Sequence, residues 1–183
     1  MLTNHGPFCQ EFESCLSKFL SAKYISVVNN ATTGLMLAVK ALSKGKEIIT
    51  TPFSFAATAS SIKWLGLKPV FVDVEPIFGN IDPNHVANAI TSNTGAILAS
   101  HNFGFPADIE KLNEISQNFQ IPLIFDAAPA MGVSLNGKSI TSFGDASILS
   151  FHATKVFTTI EGGAVISKSN KIKKEIDLLR NFG

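Results

Sequence analysis

Apolar and polar positions along the chain follow two rhythms. Short apolar runs stand at "YISVV" (24–28), "EIIT" (47–50), "PVFVD" (69–73), "GAILAS" (95–100), "PLIFD" (122–126), "ASILSF" (146–151) and "GGAVIS" (162–167). Each has the length and β-branched content of a strand. Between them, amphipathic stretches at 7–20, 32–43, 55–66, 83–91 and 108–119, with another at 169–181, read as helices. Start signals support three of these: Thr32 and Thr33 before 32–43, Asp82 and Pro83 at 83–91, and Asp108 at 108–119. Continuous apolar strands separated by helices predict an α/β fold of three layers, with helices on both faces of a mainly parallel seven-stranded sheet. Strands 146–151 and 162–167 have no helix between them, so an antiparallel neighbour is expected there.

Composition adds limits. The chain has 183 residues, enough for one sizeable core. Only 16% are charged, against about 25% in a typical soluble domain. Part of the surface is therefore expected to be covered, by a partner subunit or by further chain. The net charge is +1 with no basic block, which leaves no electrostatic footprint for nucleic acid. No run approaches the roughly 20 apolar residues of a membrane span. The start of the chain lacks a basic-then-apolar leader pattern. Cys9 and Cys15 lie on different faces of one expected helix and read as reduced thiols, in keeping with a cytoplasmic protein. No metal site is expected.

In a parallel sheet, ligands bind beyond the carboxyl ends of the strands. After 24–28, "NNATTGLMLAVKAL" runs small and hydroxylic residues into a helix. Its first N–H groups and dipole suit a phosphate, with Thr32 adding a hydroxyl. The alternative is that Asn30, Thr32 and Thr33 only cap the helix. The stretch is neither a dinucleotide fingerprint nor a P-loop. After 47–50, Phe53 and Phe55 are either a platform for a flat ring or ordinary core. Asp73 reads as structural. His101 titrates near neutrality, yet reads first as a packing residue. Strand 122–126 closes on Asp126, a carboxylate that needs a donor or cation if buried, followed by small residues. Strand 146–151 passes Ser150 and leads to Lys155. A lysine sheltered from water loses its proton more readily, and a neutral amine adds to aldehydes. A phosphate cradle, an aromatic platform, a carboxylate and such a lysine around one sheet edge match pyridoxal phosphate (PLP).

The residues also carry a resemblance. In order, "LTNHGPFCQEFE", "NATTGLMLAVKAL", "ITTPFSFAATASSI", "GLKPVFVDVEP", "HNFGFPADI", "FDAAPAMG", "SFGDASILSFHATK", "EGGAV" and "LLRNFG" resemble the sugar aminotransferases of the DegT/DnrJ/EryC1/StrS family, PLP enzymes of the aspartate aminotransferase fold type. The resemblance implies that Lys155 forms the Schiff base and that Asp126 pairs with the pyridinium nitrogen. It implies that Phe55 stacks on one ring face, that Ala128 packs on the other, and that Ala31, Thr32 and Ser150 hold the phosphate. An amino group would pass from an amino acid, typically glutamate, to a keto group of a nucleotide-linked deoxysugar, in a homodimer.

Pro129 stands where many relatives carry Gln or His, and Ala31 where a glycine is frequent. Lys155 argues against the dehydratase branch, which has histidine there. Relatives continue into a second, smaller domain. On this resemblance residues 1–183 are the PLP-binding large domain and the small domain is absent. Three other readings stay open: a remnant that binds PLP without turnover, a different PLP reaction such as a lyase or racemase, and a nucleotide binder without PLP. The missing glycine fingerprint counts against the last.

Overall fold

The computed structural model describes residues 5–181, which form six α-helices and nine strands. In chain order these are α1 (Pro7–Leu20), β1 (Tyr24–Val28), α2 (Ala31–Leu42), β2 (Glu47–Thr50), α3 (Ala56–Trp64), β3 (Lys68–Phe71), α4 (Pro83–Ala89), β4 (Thr94–Ser100), α5 (Ile109–Phe119), β5 (Leu123–Asp126), β6 (Ser134–Leu135), β7 (Lys138–Ser139), β8 (Ala146–Ser150), β9 (Gly163–Ser167) and α6 (Asn170–Asn181). Seven strands make one sheet in the order β1-β9-β8-β5-β4-β2-β3. Pairing is parallel from β8 to β3, and β9 runs antiparallel to both of its neighbours. The expected antiparallel neighbour is thus β9. The ends of the first and last family-like blocks, 2–4 and 182–183, lie outside the described residues.

Each strand feeds two cores because successive side chains leave opposite faces of the sheet. Ile48, Leu98, Ile124 and Ile148 pack under Leu35 and Val39 of α2, Ile62 of α3 and Ile176 of α6. Ile49, Ile97, Phe125 and Leu149 pack under Leu16 of α1, Val86 of α4 and Leu112 of α5. Each such fully buried side chain contributes roughly 1.5–3 kcal/mol. Helices on both faces give the three layers, and no helix among the described residues is long and apolar enough to cross a membrane.

Helix starts follow the capping rules. Asn30 Oδ1 accepts from Thr33 N at 2.8 Å, Asp82 Oδ1 from Asn84 N at 2.8 Å, and Asp108 Oδ1 from Lys111 N at 3.1 Å. The cap of α2 is therefore Asn30, with Thr32 and Thr33 inside the first turn. Two further expectations need correction. The strand expected at 69–73 is Lys68–Phe71, so Asp73 sits in a loop, where its Oδ1 accepts from Val74 N. The hairpin β6–β7 was not expected at all. Its turn is Asn136–Gly137, both at positive φ (51° and 74°), and Asn-Gly is the preferred pair for such a turn.

Strand β1 is an edge, and side chains close it. Glu13 Oε1 accepts from Val27 N at 3.0 Å, and Arg180 Nη1 donates to Val27 O at 2.9 Å and to Glu13 Oε1 at 2.9 Å. An ion pair from α1 and α6 thus occupies backbone groups that a further strand would otherwise take.

Candidate active site

Strands β1, β2, β4, β5 and β8 all end at one edge of the sheet, and antiparallel β9 begins there. The loop joining β8 to β9 therefore crosses the same edge. This topology brings the seven residues that the resemblance assigns to the site to one cleft of about 770 Å³. Ala31 and Thr32 come from the first turn of α2, and Phe55 from the loop before α3. Asp126 and Ser150 end their strands, Ala128 follows β5, and Lys155 lies in the β8–β9 loop.

Asp126 forms the floor and is 4% exposed. Its Oδ2 accepts from Thr58 Oγ1 at 2.7 Å, and its Oδ1 from Ala128 N at 3.1 Å. Burial pushes its pKa up, against the opposing pull of Thr58, the Ala128 amide and the charge of Lys155. Both hydrogen-bond donors are neutral. A cationic ring nitrogen at this carboxylate would supply the missing charge, so the residues present fit a pyridinium.

The phosphate corner is built from backbone. Asn30 takes the N–H of Thr33 with its side chain and that of Gly34 with its carbonyl. Among the described residues this leaves the N–H groups of Ala31 and Thr32 as free donors at the positive end of α2. Gly163 lets this end approach the sheet. A Cβ there would lie 2.9 Å from Ala31 N and 2.8 Å from Leu149 O. Ser150 Oγ accepts from His152 N at 3.4 Å beside this corner.

The lysine loop closes on Phe151, whose N–H donates to Gly162 O at 2.9 Å. The Phe151 carbonyl accepts from Thr159 N at 3.0 Å and from Thr158 Oγ1 at 3.1 Å. Lys155 N donates to His152 O at 2.9 Å. The rings of Phe12, Phe151 and Phe157 pack together, with centroids 5.3–6.2 Å apart, and tie the loop to α1. His152 Nδ1 accepts from Thr154 N at 3.2 Å, and its Nε2 lies 3.5 Å from Glu161 Oε1. Lys155 is half-buried among these polar groups, a wetter setting than its flanking sequence suggested.

Other strand-end residues sort by geometry. Phe53 and Phe55 are 51% and 80% exposed and are not core. His101 is packing: its ring is buried and stacked on Phe125 at 4.6 Å, and its Nδ1 accepts from Ala107 N. Burial lowers its pKa to about 4 and keeps it neutral. Sequence reasoning missed Thr58, Asn102, His152 and Glu161 of the site. Asn102 and His152 each sit two residues past a strand end, a position that could flag them, though nothing local gives the bond Asn102 makes.

Known proteins share this fold and sequence. The chain is 49% identical over 181 residues to dTDP-4-amino-4,6-dideoxy-D-glucose transaminase of Shigella dysenteriae, covering 99% of this chain and 49% of the relative. The structure of DesI with its TDP-sugar product superimposes with a TM-score of 0.95 at 38% identity, covering 98% of this chain and 46% of that one. A sugar aminotransferase of Streptococcus pneumoniae in its PLP form gives a TM-score of 0.87 at 28% identity, covering 95% and 50%. The chain spans about half the length of the relatives it matches. The family model matches residues 1–183 from end to end, and the chain belongs to the DegT/DnrJ/EryC1/StrS aminotransferase family.

Proposed function

We propose that residues 1–183 are the PLP-binding large domain of a sugar aminotransferase that moves an amino group from an amino acid, glutamate, to a keto group of a nucleotide-linked deoxysugar. The observation that carries this reading is the convergence of Lys155, Asp126, Phe55 and the N-terminus of α2 on one cleft. The relative at 49% identity is a transaminase of a dTDP-linked 4-amino-4,6-dideoxy sugar. A dTDP-linked 6-deoxy sugar with its ketone at carbon 4 is therefore the acceptor to try first.

When bound, PLP supplies an aldehyde that holds an amino group and a ring that draws electrons from the neighbouring C–H bond. Asp126 keeps the ring nitrogen protonated, and that ring charge returns the buried carboxylate to its ionised form. Ala31 and Thr32 N–H groups, with Ser150, would receive the phosphate, while Phe55 and Ala128 would hold the two ring faces. Lys155 Nζ is the nucleophile that anchors the cofactor. Once freed by the donor's amine, its Nζ would be the base that takes the proton from the amino-bearing carbon and, in the second half-reaction, the acid that gives one to the sugar carbon. Pro129 lines the cleft without an N–H to offer. The exposed rings of Phe55 and Phe103 at the mouth, with the low charge content, support a homodimer that covers them. A cytoplasmic enzyme acting on a soluble nucleotide sugar is the matching setting.

The test is an absorbance titration of the purified chain with PLP, then borohydride reduction and peptide mapping. The expected result is one adduct on Lys155 that is lost in Lys155→Ala. Amine transfer from glutamate to the dTDP-linked keto sugar follows as the second arm. No adduct, or adducts spread over surface lysines, would overturn the cofactor assignment.

A further inference from the structure

The loop that carries Phe53 and Phe55 is not held by burial of its own rings, which are half or more exposed. It is tied from a neighbouring strand. Asn102, just past β4 and 6% exposed, donates from Nδ2 to Phe53 O at 2.8 Å and to Gly79 O at 2.5 Å. Its backbone N–H donates to Asn80 Oδ1 at 2.9 Å. Asn80, 2% exposed, donates from Nδ2 to Phe105 O and Pro106 O, each at 3.2 Å. Two buried amides thus spend their N–H groups on the backbones of three loops, those after β2, β3 and β4. The contact is close on the far side too. Gly79 has φ +70°, and a Cβ there would lie 2.6 Å from the Phe53 ring. Glu75 fixes that turn by accepting from Ile77, Phe78 and Asn80 N–H groups.

We infer that Asn102 and Asn80 are positioning residues: they hold the Phe53–Phe55 segment so that the Phe55 ring stands at a fixed place over the cleft. The inference rests on the proposed stacking role of Phe55. The physical reason is that a donor pair satisfied by two carbonyls of different loops fixes their separation. An exposed ring, by contrast, gains little by staying where a ligand needs it. Asn102 also lines the cleft, but its Nδ2 is spent on Phe53 O and Gly79 O, so the role inferred for the amides runs through Phe55.

The experiment has two readouts on the full chain. Hydrogen exchange is measured without PLP on wild type and Asn102→Ala. Exchange at 54–58 and 79–80 is expected to rise about tenfold, with β4 and β5 unchanged. PLP affinity is then measured in a double-mutant cycle with Phe55→Ala. Asn102→Ala is expected to weaken binding about tenfold with Phe55 present and hardly at all once Phe55 is gone. Unchanged exchange in 54–58, or equal losses in both backgrounds, would overturn the inference. If Asn102→Ala does not fold, Asn80→Ser is read instead. It should loosen both 54–58 and 105–107, and a change confined to 105–107 overturns the strut. If wild type fails to bind PLP, the cofactor reading falls, while the exchange result still decides the strut.

Discussion

Thr58 Oγ1 donates to Asp126 Oδ2 at 2.7 Å, so a hydroxyl on α3 meets the carboxylate that closes β5. With the Ala128 amide on the other oxygen, both hydrogen bonds to Asp126 come from neutral dipoles, and Lys155 acts on it only through its charge. Its pKa stands above the ordinary 3.8, chiefly from burial. The native chain thus holds a proton that the unfolded chain releases, and stability falls as pH rises from 3.8 through the folded value. Asp126→Asn is expected to raise the melting temperature of the PLP-free chain by about 2–4 °C at alkaline pH. The same change should weaken PLP binding by about 100-fold, because the ring nitrogen loses its counter-charge. Calorimetry and an absorbance titration check the two signs. Thr58→Val should leave the ring partner in place and cost about tenfold in PLP affinity.

Gly163 couples the sheet to the phosphate corner. The atoms a Cβ would strike, Ala31 N and Leu149 O, are backbone and cannot rotate away. Gly163→Ala must push the start of α2 off β9. A loss of about 2–3 kcal/mol is expected, and binding of inorganic phosphate or PLP should weaken beyond what the lower melting temperature explains. Gly34 is the milder control: its Cβ would meet only side-chain methyls, at 3.1–3.4 Å. A Gly163→Ala protein with unaltered PLP affinity would detach this corner from the cofactor.

Ile160, a residue 77% exposed, holds φ +71° in the lysine loop. A left-handed backbone costs an L-residue about 1–2 kcal/mol, most for a β-branched one. Glycine removes that strain but adds about 0.5–1 kcal/mol of unfolded-state entropy. The strain is the larger effect, so Ile160→Gly should stabilise by about 0.5–1 kcal/mol, while Ile160→Ala should gain little. Thermal melts of the two variants decide the matter. Destabilisation by glycine would mean that the Ile160 side chain is held by a contact worth more than the strain.

The parts legible in the sequence are those where one residue contradicts its surroundings. Asp126 and Lys155 stood out because an ionisable group beside an apolar strand needs a reason. The strands stood out because burial on both faces makes them continuous apolar runs. Phe55 was ambiguous, since an aromatic there reads first as core, and only the fold leaves it 80% exposed. Thr58 and Asn102 were invisible for another reason. Their roles lie in hydrogen bonds to Asp126 and Phe53, which are 68 and 49 residues away in the chain. No local pattern encodes such a bond. The β6–β7 hairpin did have a local signal in Asn136–Gly137, but its two-residue strands carry no periodicity to go with it.

The Glu13–Arg180 pair at the edge of β1 sets the acid limit of the fold. Burial pushes the Glu13 pKa up, but donation from Val27 N, Arg180 and His5 pulls it below the ordinary 4.5. Asp177, which accepts from Lys173 Nζ and from Ser26 Oγ at 2.6 Å and pairs with Arg180, is lowered in the same way against its own burial. For both groups the stabilisation is complete above the unfolded pKa and is lost as pH falls through the folded one. The melting temperature should therefore drop as pH falls below about 4.5. Glu13→Gln should flatten part of that drop and cost about 2 kcal/mol near neutrality, because Arg180, with its side chain 13% exposed, loses one of its two carboxylate partners. Arg180→Met added to Glu13→Gln should cost less than the sum of the two single changes. Strict additivity, with the acid profile unaltered, would mean that the edge of β1 is held by backbone pairing to β9 alone.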